Sequence, residues 1–327
     1  MPNRIVSFCL LLCLFLTGAA FAENETLTQE ELTDLLYEMS REDGDGGQFT
    51  VLPEDYVEPI TGIEGTYHLL LAGVDTNGQG ITGRSDTMVL AILNTRQKTV
   101  KLISFMRDLY VKIPGRGHNR LNAAYVYGGP DLLVKTISQV FQVRVDGYLA
   151  VDFGLMARLI DGIGGIEMNV SEREFESLNA ILSYYNHLND KPRDEGLLKT
   201  SGKVLLTGYQ AMAYSRIRKM DSDFERVKRQ QNTLRAIFDQ ILTLDTGSMG
   251  ELVTQFAHQV KTDVSLAEAL ELIALVAQMD KAQITSLTIP VSGAYKNVTK
   301  NKAAFLVPNL KRNLNALNAF IKEGSIP

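Results

Sequence analysis

Arginines dominate the side chains that could carry out chemistry in the second half of this chain. The segment Tyr214 to Arg218 alternates as a β-strand would, which predicts that Tyr214, Arg216 and Arg218 share one face while Ile217 points to the other. A guanidinium group carries a planar fork of donors that matches phosphate oxygens. The alternation therefore favours a site in which two arginines hold one anion.

The helix predicted after this segment adds further anion-binding groups. Asp223 is a typical N-cap residue, and the apolar spacing that follows predicts a helix to about Leu242. Arg226, Arg229 and Gln230 lie on its first turns, where backbone N–H groups and the helix dipole already favour negative charge. The start of this helix is therefore predicted to be an anion site.

A predicted β-hairpin brings a carboxylate and an arginine together earlier in the chain. Thr87 to Leu93 and Thr99 to Phe105 are apolar strands joined by a short turn, so they most simply pair antiparallel. Pairing about the centre of that turn places Asp86 across from Met106 and Arg107. An acidic and a basic group are thus expected to meet at one end of the hairpin.

A third strand is expected to end at the same place. Tyr67 to Val74 is apolar and ends at Asp75, and the glycine-rich segment Thr76 to Gly83 that follows is flexible enough to approach a ligand. If this strand joins the hairpin with Asp75 beside Asp86, the charged groups meet at one sheet edge, a common position for ligand sites in α/β folds.

Surface salt bridges are the alternative interpretation of these arginines. For Arg216, Arg218 or Arg226 taken singly, a salt bridge is a sufficient explanation. The set is harder to explain in that way, because arginines on one face repel one another unless an anion or several carboxylates lie between them. Arginines that converge with carboxylates are typical of a phosphate site with a divalent metal.

The elements that must position these residues predict an α/β fold with a mixed central sheet flanked by helices. Glycine pairs and capping residues delimit several of them. Further helices are expected at Asp131 to Val140, Asp152 to Ile163, Ala267 to Gln278 and Leu310 to Ile321, with strands at Ile166 to Val170 and Ile284 to Ile289 and a short helical turn from Thr207.

The N-terminus has the pattern of an export signal. Ile5 to Leu16 is apolar, and Ala20-Phe21-Ala22 forms an A-x-A cleavage site, so residues 1–22 are predicted to be a signal peptide or, alternatively, an uncleaved membrane anchor. Both cysteines, Cys9 and Cys13, lie in this leader, which excludes cysteine chemistry from the exported part. Either interpretation places the protein at the outer face of the membrane or beyond it.

The rest of the chain divides into three predicted parts. Residues 23–66 form a short acidic extension with one helix at Gln29 to Ser40, residues 67–245 form the main domain, and residues 246–327 form an α/β part packed on it. The formal net charge of −5 argues against a general nucleic-acid binder, which needs a basic face to neutralise phosphates.

Several short motifs follow one another along the chain: Gly73-Val74-Asp75-Thr76, Gly83-Arg84-Ser85-Asp86-Thr87-Met88, Ser104-Phe105-Met106-Arg107-Asp108, Arg120-Leu121-Asn122-Ala123-Ala124-Tyr125, Gly128-Gly129, Asp152-Phe153 and Asp161-Gly162-Ile163-Gly164-Gly165. A last block, from Leu206 through Arg216-Ile217-Arg218 to Gln231, is the most specific. Together these segments, which cover about Tyr67 to Gln231, resemble the LytR-CpsA-Psr family of bacterial cell-wall ligases.

This resemblance implies transfer of a glycan phosphate from an undecaprenyl pyrophosphate carrier to a peptidoglycan hydroxyl. It implies that Asp75 and Asp86 hold Mg²⁺ (or Mn²⁺), with Asp75 also the first candidate for a general base. The expected pyrophosphate ligands are Arg84, Arg107, Arg120, Arg216, Arg218, Arg226 and Gln230; Asp75, Arg84, Arg107, Arg216 and Arg218 are expected to be catalytic. The implied partners are a polyprenyl phosphate or pyrophosphate lipid, a lipid-linked glycopolymer, peptidoglycan and the membrane surface.

Two departures and two rival functions accompany the resemblance. Met106 stands where the family usually has proline, which is expected to loosen the backbone before Arg107, and Arg120 stands where lysine is common. A pyrophosphatase that uses water as the acceptor is one alternative. A non-catalytic lipid-binding regulator of the cell envelope is the other, and it does not need a metal-binding pair.

Overall fold

The structure is a computed structural model that describes part of the chain. The described residues are 64–75, 83–217, 222–241, 243–244, 251–252, 255–256, 259–265, 267–269, 271–272, 284–300 and 303–323. The predicted leader, the helix at Gln29 to Ser40 and most of Ala267 to Gln278 lie outside them. No helix in the described part is long and apolar enough to cross a membrane.

In the described part of the chain, twelve strands and six helices have assigned bounds and position the candidate residues. The strands are β1 Thr66–Asp75, β2 Arg84–Asn94, β3 Thr99–Phe105, β4 Tyr110–Ile113, β5 Gly117–Arg120, β6 Gly147–Asp152, β7 Ile166–Val170, β8 Gly202–Leu206, β9 Lys261–Thr262, β10 Ile284–Ile289, β11 Tyr295–Lys300 and β12 Ala303–Pro308. The helices are α1 Ala123–Phe141, α2 Phe153–Gly162, α3 Glu172–Leu188, α4 Gly208–Ser215, α5 Asp223–Ile241 and α6 Leu310–Glu323.

The largest sheet has six strands in the order β10-β3-β2-β1-β6-β9. β10 runs parallel to β3, whereas the β2–β3 and β6–β9 pairs are antiparallel, so the sheet is mixed as predicted. Three two-stranded sheets, β4–β5, β7–β8 and β11–β12, accompany it. The predicted α/β class is therefore confirmed.

The described residues divide into two compact units. One comprises 64–70, 83–148 and 284–323, and the other comprises 71–75 and 149–272. In the first unit, every residue of β2 after Arg84 is buried. A strand covered on both faces must be nearly continuous in apolar residues, which explains the run from Met88 to Leu93.

Helix packing dominates the second unit. Asp152 caps α2 by accepting a hydrogen bond from Leu155 N at 2.8 Å, and Thr207 caps α4 in a capping box with Gln210. The two helices pack so closely at Gly208 that any Cβ there would overlap the carbonyl group of Ala157. Glycine is therefore required at this crossing.

Candidate functional site

The predicted hairpin has the predicted register. Met88 pairs with Phe105, and continuing the ladder by two residues places Asp86 opposite Arg107. Arg107 Nη1 lies 3.1 Å from Asp86 Oδ2. The expected meeting of a carboxylate and an arginine at this end of the hairpin is confirmed.

Met106 does not loosen the backbone before Arg107. Its N–H donates a hydrogen bond of 2.9 Å to the carbonyl of Ile289, which is a bond that proline could not make. Its side chain is 2% exposed. The expectation of a looser segment is therefore wrong, because the N–H of Met106 adds a hydrogen bond to β10.

Four further residues complete a charged group that we call the Asp86 cluster. It consists of Arg84, Asp86, Arg107, Asp108, Arg120 and Asn122. Asp108 Oδ2 lies 3.5 Å from Arg107 Nε, and Asp108 Oδ1 lies 3.8 Å from Arg120 Nη1. The β4–β5 hairpin carries Arg120 into place by pairing it with Tyr110.

Counted over its described side chains, the Asp86 cluster carries one excess positive charge in a largely buried setting. Its three guanidinium groups face two carboxylates, and the side chains of Arg120 and Asp86 are 9% and 4% exposed. The pKa of Arg120 is lowered mainly by burial; Asp108 opposes this shift, while Arg84 and Arg107 add to it. A bound anion would relieve the repulsion among the three cations.

Oxygen atoms suited to a hard cation lie in the same cluster. Asn122 Nδ2 donates to Asp86 Oδ1 at 3.4 Å, and the buried Asn122 Oδ1 has no hydrogen-bond partner among the described residues. Mg²⁺ prefers carboxylate and amide oxygens, so these groups fit it. Among the described residues no group of three or more His, Cys, Asp or Glu could hold a metal, and the side chain of Asp75 lies outside this description.

Arg216 belongs to the second unit and has aromatic partners. Its guanidinium carbon lies 3.9 Å from the centre of the Phe153 ring, and its Nη1 donates to the Tyr185 hydroxyl at 3.2 Å. Stacking on Phe153 covers one face of the guanidinium group and fixes its orientation. Arg218 lies outside the described residues.

The strand predicted from Tyr214 to Arg218 is wrong. Tyr214 and Ser215 end helix α4, and Arg216 is its C-cap with φ −98° and ψ −1°. Tyr214 is buried and its hydroxyl donates to Glu174 Oε1 at 3.0 Å, so it does not share a face with Arg216. Ile217 is buried as expected, at 1% exposure.

Helix α5 starts one residue before the predicted position, because Asp223 is its first residue and Ser222 caps it by accepting a hydrogen bond of 3.4 Å from Glu225 N. The three side chains predicted to bind an anion at its start are more deeply buried than a surface site requires. Arg226, Arg229 and Gln230 are 2%, 4% and 5% exposed. Arg229 Nη2 donates to the Ile217 carbonyl at 2.8 Å, and its Nη1 lies 3.9 Å from Glu174 Oε1. Arg229 therefore anchors the turn that carries Ile217.

Sequence alone does not predict a role for several residues that the structure places in or beside the site. Asp108 and Asn122 stand inside recognisable motifs beside Arg107 and Arg120, so their proximity was available as a signal. Glu174 also had a local signal, since Ser171 and Glu174 form a capping box that starts α3. No local sequence pattern indicates Tyr185, because it lies 31 residues before Arg216 in the chain and contacts it only through the fold.

Comparison with known proteins identifies the family. The model of the LytR_cpsA_psr family matches residues 33–319, so the chain belongs to this family. A polyisoprenyl-teichoic acid–peptidoglycan teichoic acid transferase, TagU of Enterococcus faecalis, is 30% identical over 76% of this chain and 80% of its own length. TagT of Bacillus subtilis, which bears the same transferase name, is 30% identical over 68% of each chain.

A solved structure shares the fold over most of the chain. The structure described as TagT bound to LIIa-WTA superposes with a TM-score of 0.64 and 26% identity, covering 82% of this chain and 95% of that one. The resemblance inferred from motifs is thereby confirmed, and so is the fold class.

Proposed function

We propose that this protein transfers a glycan phosphate from an undecaprenyl pyrophosphate-linked glycopolymer to a hydroxyl of peptidoglycan. The Asp86 cluster is the observation that carries the proposal, because it combines three arginines with oxygen ligands for a divalent cation. Family membership and the transferase names of the relatives support a reaction of this class. The proposed place of action is the outer face of the cytoplasmic membrane.

The reaction needs positioned positive charge more than covalent assistance. The acceptor oxygen forms a bond to the phosphorus attached to the glycan, the bond from that phosphorus to the lipid phosphate breaks, and the hydroxyl proton passes to a base or to water. Arg84, Arg107 and Arg120 are proposed to bind the pyrophosphate oxygens. Asp86 and Asp108 already hold the guanidinium groups of Arg107 and Arg120 in place. These side chains would therefore need little rearrangement as negative charge develops on the phosphate oxygens.

A divalent cation would add to this charge. Asp86 and Asn122, together with Asp75, are proposed to hold Mg²⁺ or Mn²⁺ through their oxygens. When bound, such an ion would stabilise the negative charge on the departing lipid phosphate. The family resemblance assigns Arg216, Arg218, Arg226 and Gln230 to the same anion, and this assignment stays a prediction.

Reconstitution tests the proposal. Purified protein is incubated with a labelled lipid-linked glycan, Mg²⁺ and peptidoglycan, and the label on washed peptidoglycan is counted. Removing a preorganised donor to a developing oxyanion costs about 100- to 1,000-fold in rate, so Arg107→Ala should lose that much. Arg96→Ala is the matched control, because Arg96 lies in the turn of the same hairpin. It forms an ion pair with Glu64 in which the Arg96 side chain is 63% exposed and the Glu64 side chain 83% exposed.

The product pattern separates the rival functions. Label that becomes soluble at the same rate with and without peptidoglycan would show a pyrophosphatase. Tight lipid binding without turnover would show a non-catalytic binder. Either result contradicts the proposed transfer, as would an Arg107→Ala variant as active as Arg96→Ala.

A further inference from the structure

Helix α3 contacts the end of α4 at two points on one face. The Tyr185 hydroxyl accepts a hydrogen bond of 3.2 Å from the Arg216 side chain, and Glu174 lies eleven residues before Tyr185. At about 3.6 residues per turn this separation is about three turns, so both side chains lie on the same side of the helix. The buried residues Leu178 and Leu182 lie between them. The buried face of α3 therefore carries both contacts.

The two carboxylate oxygens of Glu174 have different partners. Oε2 accepts from the backbone N–H and the hydroxyl of Ser171, at 3.0 and 2.8 Å, and completes the capping box of α3. Oε1 accepts from the Tyr214 hydroxyl at 3.0 Å and lies 3.9 Å from Arg229 Nη1. Glutamine would serve a capping box as well as glutamate does. The capping box therefore does not explain why this position carries a second carboxylate oxygen.

The contacts of Oε1 continue to the backbone beside Arg216. Arg229 Nη2 donates to the Ile217 carbonyl at 2.8 Å, and Ile217 follows Arg216 directly in the chain. On the other side, the Ile217 N–H donates to the Tyr214 carbonyl of α4 at 3.2 Å. The backbone turn is thus held between α4 and Arg229, and a shift of Arg229 would move the turn together with the Arg216 side chain.

Charge gives Glu174 a role that a neutral acceptor could not take. The Arg229 side chain is 4% exposed and the Glu174 side chain 15% exposed, so little water screens the attraction between them. Arg226, about one turn earlier on α5, is a second buried cation. A neutral side chain at position 174 would weaken the attraction that fixes Arg229.

We infer that Glu174 is a positioning residue for the Arg216 guanidinium group. Its carboxylate holds Arg229, Arg229 holds the Ile217 carbonyl, and the stack on Phe153 then orients the guanidinium group. A donor that is fixed before the phosphate arrives needs little reorganisation when it binds. This inference rests on the proposed role of Arg216 as a phosphate ligand.

Binding of octaprenyl pyrophosphate tests this inference without turnover. The full-length protein is titrated calorimetrically well below its melting temperature, so that the stoichiometry reports the folded fraction and Kd reports the site. Glu174→Gln keeps an oxygen for the capping box but loses the charge, and it should bind about 10-fold more weakly. Glu172→Gln is the matched control, because it removes an exposed carboxylate from the same first turn of α3 and should bind as the wild type does.

A second variant tests whether the effect passes through Glu174 Oε1. Tyr214→Phe removes one hydrogen bond to this oxygen and should bind about 3-fold more weakly. Because both changes act through the same atom, the double variant should bind no more weakly than Glu174→Gln alone. Losses that multiply in the double variant would contradict this route.

A purely structural role gives a different result. A lowered stoichiometry with unchanged Kd in Glu174→Gln would show that Glu174 only stabilises the fold and would overturn the inference. Equal affinities of Glu174→Gln and Glu172→Gln, or absence of binding by the wild type, would also overturn it.

Transfer assays on the same variants separate this inference from the proposed reaction. Weaker binding by Glu174→Gln, in a protein whose wild type shows no transfer, would uphold the positioning role and overturn the reaction. An unchanged Kd in Glu174→Gln, beside full transfer by the wild type, would overturn the positioning role and leave the reaction standing.

Discussion

Replacing Asp86 by asparagine should destabilise the protein and make its stability depend on anions. The change keeps the side-chain volume but removes one of the two carboxylates of the Asp86 cluster, so its net charge rises from +1 to +2. At 3.1 Å and an effective dielectric constant of about 20, the lost attraction to Arg107 is about 5 kcal/mol before desolvation is counted.

The net effect of Asp86→Asn is smaller, because a charged side chain that loses its partner recovers some solvation. Arg107 is 13% exposed, which favours a loss near the lower end of the range of about 3–5 kcal/mol for breaking a buried ion pair. About 3 kcal/mol corresponds to a fall in Tm of about 6–12 °C for a domain of this size.

Scanning calorimetry with and without inorganic pyrophosphate measures both effects. Pyrophosphate should raise the Tm of Asp86→Asn more than that of the wild type, because the variant has the larger excess of positive charge. Glu64→Gln removes an exposed ion pair of the same unit, so it should change stability by at most about 1 kcal/mol. A variant that melts with the wild type, or that gains no more from pyrophosphate than the wild type does, would refute the account of the cluster.

Three further predictions concern stability and activity elsewhere in the molecule. Burial lowers the pKa of His68, so the native state keeps its imidazole neutral. The free energy of unfolding should therefore be fully present above about pH 6.5 and should fall as the pH drops below that value, where the unfolded state binds a proton. Urea unfolding of the wild type and of His68→Gln at pH 5 and pH 8 will measure this dependence. Gly208→Ala should destabilise by about 2 kcal/mol or more, as thermal unfolding will show, because its Cβ overlaps Ala157. Ile217→Ala should cost about 2–5 kcal/mol of stability. Arg216→Ala should cost only about 1–2 kcal/mol, from its contacts with Phe153 and Tyr185, yet transfer about 100-fold more slowly; paired melting and transfer assays will decide.

The hairpin was predictable because local sequence determines its register. Two apolar strands joined by a short turn leave one simple pairing, and that pairing places Asp86 against Arg107. The motifs likewise predicted the family, and the apolar spacing after Asp223 predicted helix α5 to within one residue at its start. Strong local signals of this kind account for the confirmed part of the site.

The prediction of a strand from Tyr214 to Arg218 fails because five alternating residues are too few to establish one. The deciding signal lay upstream, where Thr207 and Gln210 form the capping box of α4. The partners of Arg216 could not be inferred at all, since Phe153 and Tyr185 reach it through the packing of separate helices. Long-range packing of this kind has no periodic signature in sequence.

The fate of the two phosphates tests the central claim most directly. A lipid-linked glycan labelled in both phosphates of its pyrophosphate is incubated with protein, Mg²⁺ and peptidoglycan. The label is measured in washed peptidoglycan and in the lipid product, after chromatographic separation of that product from the unreacted donor. Attack at the phosphorus attached to the glycan predicts equal label in the two fractions, with both signals reduced by about 100-fold or more in Arg107→Ala. Both labels in the lipid fraction beside glycan-bearing peptidoglycan would show transfer without phosphate and would contradict the account.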